Sequence, residues 1–75
     1  MIITDFNGNM YITKHISMIG EIKQDICEIG KYYFDFDCGG VMHTISDYDP
    51  AIILDFRDKM IEIVSRYVST INSSV

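Results

Sequence analysis

DPAIILDFRDKMIEIVSRYVSTI, residues 49–71, is the stretch that decides the fold, because no other segment is both long and periodic enough to organise a chain of this size. Asp49 can accept a hydrogen bond from an unpaired first-turn N–H, and Pro50 loses nothing at the first helical position by lacking one. Ser46, with Asp49 three residues on, offers an alternative start resembling a capping box. No Gly or Pro follows until the polar run Asn72, Ser73 and Ser74, whose short side chains compete for backbone hydrogen bonds and end the helix. At about 100° per residue, Ile53, Phe56, Met60, Val64, Tyr67 and Ile71 form one stripe, the face expected to serve as core or dimer contact. Leu54, Ile61 and Val68 flank it on one side, Ile52 and Ile63 on the other. The apolar arc is then roughly 200° wide, about twice what one sheet face can cover, so something further is expected to cover it. Arg57 projects into this arc, either as a stem lying over apolar surface or as an anchor for a partner's carboxylate. Asp55, Asp58, Lys59, Glu62, Arg66 and Ser69 fill the opposite side.

The chain's 75 residues fit one domain, 1–75, which at this size buries only about 60% of its unfolded surface. So small a core gains from oligomerisation, and a homodimer is expected. A hydrophobic fraction of 48% excludes intrinsic disorder. Eleven acidic against six basic residues, net −5, with no Lys/Arg cluster, argue against direct nucleic-acid binding, which needs a concentrated positive surface. Two cysteines are too few for a secreted disulfide framework, and no 18-residue apolar run points to a membrane. The chain reads as cytoplasmic, with Cys27 and Cys38 as free thiols or, less in keeping with that compartment, a disulfide.

Upstream of the helix the pattern is that of strands. Met1 to Phe6 is β-prone, and Asn7-Gly8 predicts a two-residue type I′ turn. In that register Ile3 faces Ile12 and Asp5 faces Met10. Met1, Ile3, Met10 and Ile12 would then share one face, and Ile2, Thr4, Phe6 and Tyr11 the other. Ile16 to Ile22 reads as a third strand with Ile16, Met18 and Ile22 on one side, and Gly20 as a bulge. Lys23-Gln24-Asp25 reads as a loop, followed by an ambiguous run, Ile26 to Ile29. Lys31 to Cys38 alternates strongly, and Gly39-Gly40 turns it back so that Cys38 faces Val41, Phe36 faces His43 and Phe34 faces Ile45. The expected fold is α+β: an antiparallel sheet of four or five strands with two tight hairpins, then one long helix packed on one face.

Candidate chemistry is sparse. Asp35/Asp37 and Asp47/Asp49 resemble carboxylate pairs, yet no further acidic ladder continues from them, and helix capping explains the second pair. His15, Cys27, Cys38 and His43 lack the spacing of a zinc site, so neither metal nor cofactor is expected. Cys38 and His43 on neighbouring strands are the only pairing suited to thiol or metal chemistry, and no third member orients them. Cys38 reads more simply as a small apolar filler. Tyr33, on the outward face beside Asp35, Asp37 and Met42, is the leading contact residue, since Tyr is enriched at interfaces.

The order of elements resembles the small flagellar protein FlbD family: Met1-Ile2 opening a strand, Asn7-Gly8 in the first turn, Tyr11-Ile12 after it, Ile16 and Ile19 followed by Glu21, a glycine hairpin, then Ser46 leading into an apolar helix. The resemblance implies accessory support of flagellar motility and carries over no catalytic residue. The chain departs from it in the long connection 22–31, the Cys38-Gly39-Gly40 turn and the extended helix. From the residues themselves the leading expectation is a non-enzymatic acidic interaction protein that binds and modulates, in the inhibitory sense, a partner protein, in the manner of phage inhibitors or bacterial accessory factors. Its expected contact residues are Tyr33, Asp35, Asp37, Met42, Arg57, Asp55, Asp58 and Glu62. An acidic surface of Asp35, Asp37, Asp47, Asp55, Asp58 and Glu62 could also stand in for phosphates.

Overall fold

A computed structural model describes the backbone of residues 1–73 and the side chains of residues 1–66. The order of elements is β1 (Ile2–Thr4), β2 (Met10–Ile12), a 3-10 turn (Thr13–His15), β3 (Ile16–Ile19), β4 (Lys23–Gln24), β5 (Tyr32–Cys38), β6 (Val41–Asp47) and α1 (Pro50–Ser73). The α+β arrangement is therefore as the sequence implies. β1 and β2 form a separate antiparallel ribbon, while β5 is the centre of the main sheet. Because β6 pairs along the whole of β5, from Tyr32↔Asp47 to Cys38↔Val41, both β3 and β4 lie on its other edge.

The second hairpin has the register expected of a two-residue turn. Gly39 and Gly40 both take positive φ, +65° and +83°, which a type I′ turn requires and side chains resist. The first hairpin does not. Its pairs are Ile2↔Ile12, Ile3↔Tyr11 and Thr4↔Met10, one residue out of the expected register. No residue other than Gly has positive φ among the described residues, so Asn7 cannot take part in a type I′ turn. Instead Gly8 N–H bonds to Asp5 O at 3.2 Å and Asp5 N–H to Asn9 O at 2.9 Å, a type I turn followed by a left-handed glycine at +85°. The slip moves Tyr11 to the face of Ile3, where both are buried, and leaves Ile2, Met10 and Ile12 exposed.

Two further readings are corrected along the third strand. A bulge between Ile16 and Met18 changes the alternation, so Ile16 is buried, Ile19 and Ile22 pack on the core, and Met18 turns outward. Gly20 is not the bulge. It follows the end of β3, donating its N–H to Asp35 O at 2.7 Å, so close that a Cβ there would lie 3.0 Å from that oxygen. Lys23-Gln24, read as loop, pairs as a two-residue strand with Tyr33 and Tyr32.

Helix α1 starts where Asp49 and Pro50 predict, with Ala51 N–H donating to Asp49 Oδ1 at 2.9 Å; Ser46 remains in β6. Ile53 and Met60 are fully buried and Phe56 nearly so, against Phe34, Phe36 and Ile45 from one face of the main sheet. Val64 and Ile63 pack at the margin of this cluster, whereas Ile52 and Leu54 stay exposed; Tyr67, Val68 and Ile71 lie outside the described side chains. The ribbon covers the rest of the same sheet face. Tyr11 meets Phe36 and His43 edge-on, each at 4.9 Å between centroids, and Phe6 meets Phe56 at 5.1 Å. Helix and ribbon thus share one side of the sheet, which explains how an arc broader than one sheet face is partly covered.

Candidate interaction surface

With helix and ribbon on one side, the main sheet's other face has no layer over it among the described residues. Alternation along β5 places Tyr33, Asp35 and Asp37 there, and the register puts Ser46, Thr44 and Met42 opposite them. Met18 and Lys23, opposite Asp37 and Tyr33, complete the surface. Tyr33, Asp35, Asp37 and Met42 are therefore contiguous. Its carboxylates are held in place: Thr44 Oγ1 donates to Asp35 Oδ1 at 2.6 Å, while Asp37 Oδ1 accepts from Ser17 Oγ at 3.1 Å and from Gly40 N–H at 3.0 Å. Asp37 thereby ties β3 and the glycine turn to the central strand. Met42 is 55% exposed and Tyr33 half-buried, giving apolar contact area between fixed negative charges.

Asp55, Asp58 and Glu62 lie elsewhere. They sit on the solvent side of α1, directed away from the sheet, with Lys59 Nζ 2.9 Å from Asp55 and Arg66 bonded to Glu62. The two acidic groups face opposite directions, and a single flat contact cannot use both. Arg57 belongs with neither. It is half-buried and its Nε donates to Gly20 O at 2.7 Å, pinning the helix to the end of β3.

The residues considered for chemistry are separated by their contacts. His43 stacks on Phe36 at 5.4 Å and meets the edge of Tyr11, whereas Cys38 Sγ is directed to Ile12 O at 3.7 Å. No hydrogen bond joins thiol and imidazole among the described residues. Cys27 and Cys38 are free thiols, and no three His, Cys, Asp or Glu side chains among the described residues are placed to hold a metal. Asp47 accepts from Asp49 N–H and Asp49 caps α1, so that pair serves the strand-to-helix turn.

Sequence reasoning missed the most concentrated polar cluster. Asp5 Oδ1 accepts from Asn7 N–H and Asn9 N–H, both at 2.9 Å, and Oδ2 accepts from Asn9 Nδ2 at 3.1 Å and Tyr11 OH at 2.7 Å. Burial raises the Asp5 carboxyl, but the bonds from Tyr11, Asn9 and Asn7 outweigh it and hold it below 3.8. Burial, then the Asp5 hydrogen bond and charge, push the Tyr11 phenol up to about 12. The available signal was Asp at the first position of a type I turn with Gly at the fourth.

Between this loop and β6 lies an open cleft of about 170 Å³, lined by residues 5–7 and 44–47. Two carboxylates, Asp5 and Asp47, border it. At the same end of the sheet, where Tyr32 pairs with Asp47, the 25–31 loop is held by Asp25 Oδ1, which accepts from Cys27 N–H at 2.8 Å and Glu28 N–H at 3.2 Å. That loop displays Ile26 and Ile29, each more than nine-tenths exposed.

No helix among the described residues is long and apolar enough to cross a membrane. In comparisons with known proteins, the chain matches no family model, no curated protein and no solved structure.

Proposed function

We propose that this protein is a non-enzymatic interaction module that binds a partner protein and modulates it, in the inhibitory sense, using the uncovered face of its main sheet. The observation that carries this reading is that face itself: Tyr33 lies next to the anchored carboxylate of Asp35 along β5 and Met42 opposite that of Asp37, while among the described residues the helix and the ribbon cover the other side. An aromatic ring supplies contact area that costs little conformational freedom to order, a thioether adapts its shape to the opposing surface, and fixed carboxylates supply orientation. Homodimerisation forms part of the same proposal and uses the apolar outer side of the ribbon, where Ile2 and Met10 are more than half exposed and Ile12 nearly so.

The test is affinity capture with the wild-type chain and a Tyr33→Ser/Met42→Asp double variant, matched for circular dichroism. A protein retained by the first and lost by the second is expected. Identical capture by both would remove the sheet face from consideration, and turnover of a small molecule abolished by Cys38→Ser would replace the binding role with an enzymatic one.

A further inference from the structure

We propose that the free edge of β6 accepts an extended, basic segment of a partner protein as an added strand, with one of its cationic side chains seated in the cleft beside residues 5–7. The inference rests on the binding role proposed above and specifies where and how the partner engages.

The two edges of the main sheet are built differently. On the β3/β4 side the pairing is short and irregular: four residues, a bulge, the break at Gly20, then two residues. Such interruptions are how sheets keep foreign strands away. β6 has none of them. Seven residues pair with β5 without a register shift, and the strand contains no Lys, Arg, Pro or Gly. Its outer edge has no pairing strand among the described residues.

Geometry identifies the available groups. A two-residue turn makes Cys38 and Val41 a hydrogen-bonded pair, so Phe36/His43, Phe34/Ile45 and Tyr32/Asp47 are hydrogen-bonded too. Met42, Thr44 and Ser46 therefore direct their N–H and C=O groups away from β5. An extended chain laid antiparallel or parallel there finds alternating donors and acceptors over most of the strand. It also continues the face that carries Tyr33 and Met42, joining the edge to the surface already described.

The cleft decides what chemistry the added strand carries. It lies against residues 44–47, the half of β6 next to the helix, and its volume of about 170 Å³ is that of nearly six waters at ~30 Å³ each, enough for one long side chain. Asp5 and Asp47 line it and no Lys or Arg does. Asp5 remains charged well into the acid range because its hydrogen bonds favour the carboxylate. Asp47 has one oxygen committed to Asp49 N–H. A Lys or Arg side chain fits that lining. A second copy of this chain approaches with net −5 of its own, so charge opposes it where it attracts a basic segment.

The probes are two synthetic seven-residue peptides, alternating Val with Lys or Val with Glu, titrated against the wild-type chain and a Thr44→Pro variant. Thr44 directs its N–H outward, so proline there removes the central donor of the edge without breaking the β5–β6 ladder. The Lys peptide is expected to bind the wild type, to weaken with salt, and to bind Thr44→Pro about tenfold less well, the loss expected for one hydrogen bond; the Glu peptide is expected not to bind. Amide exchange on the wild type provides a second readout independent of the variant's folding, with Met42, Thr44 and Ser46 N–H groups slowed by the Lys peptide. Absence of Lys-peptide binding, equal binding of both peptides, or protection confined to other strands overturns the proposal. So does a wild-type dimer that Thr44→Pro dissolves, which would assign the edge to a second copy. A captured partner lost on Tyr33→Ser/Met42→Asp but kept on Thr44→Pro would sink the edge while leaving the binding role intact.

Discussion

Asp5 and Tyr11 show how one short-range contact can set the geometry of a whole ribbon. The carboxylate gathers two backbone N–H groups, one amide and one phenol, and by doing so selects the five-residue loop over the two-residue turn. Its folded-state pKa is depressed, so the stability it contributes is fully present above 3.8 and is lost as pH falls below that value. Tyr11 has the opposite sign: raised from 10 to about 12, its contribution is intact below pH 10 and disappears as pH rises through 12. Urea unfolding across both limbs should show the acid loss abolished in Asp5→Asn and the alkaline loss reduced in Tyr11→Phe, each at a cost of about 1–2 kcal/mol at neutral pH. An alkaline limb unchanged in Tyr11→Phe would refute the assignment. Gly20 sets a second, steric constraint. Its missing side chain lets Asp35 O reach its backbone N–H, while its carbonyl accepts from Arg57 Nε. Gly20→Ala should lose about 1–3 kcal/mol, because the atom it meets is backbone and cannot rotate away; a loss no larger than that of an exposed loop glycine would show that the strand end yields freely.

At the scale of elements, what could be read from the sequence tracks the range over which the deciding forces act. The helix was legible because capping at Asp49 and Pro50 and the recurrence of Ile53, Phe56 and Met60 are local and repeat over several turns. Asp49→Ala should therefore cost about 0.5–2 kcal/mol by thermal unfolding, and Met60→Ala about 2–5 kcal/mol because its side chain is fully enclosed. A smaller loss at Met60 than at Asp49 would contradict the packing described. The glycine hairpin was equally legible, since two adjacent positive-φ residues admit one turn. Asn7-Gly8 misled because a side chain two residues before the dipeptide competes for the same backbone, and a one-residue slip sends every side chain to the other face. β4 escaped notice because two residues carry no periodicity, and the bulge at Ile16–Met18 because nothing in Ile-Ser-Met marks it. Of the candidate surface, the cluster on β5 and β6 followed from alternation, and the outward helix acids and inward Arg57 from helical periodicity, whereas the bond from Arg57 to Gly20 O depends on packing between distant segments.

For the molecule as a whole, charge and apolar surface act against each other, and that opposition makes the proposed self-association testable. The outer side of the ribbon carries Ile2, Met10 and Ile12 without a charged neighbour on the two strands, while the chain as a whole carries net −5. Burying that apolar side favours a dimer, and long-range repulsion between like-charged copies opposes it. Added salt screens the repulsion and leaves the hydrophobic term in place, so dimerisation should strengthen as ionic strength rises from about 0.01 M to 0.15 M, where the screening length falls from about 30 Å to 8 Å. Binding of a basic partner should weaken over the same range. Light scattering after size exclusion should therefore show mass rising from 8.6 kDa toward twice that value with protein and salt concentration, and Ile2→Thr/Met10→Gln, which alters only exposed positions, should restore the monomer without lowering its unfolding midpoint. A wild-type chain that stays at 8.6 kDa across both gradients would mean that the ribbon's apolar side has no second copy to cover it. A dimer that the double variant leaves intact would locate the contact elsewhere, with the exposed helix flank of Ile52 and Leu54 the next surface to alter.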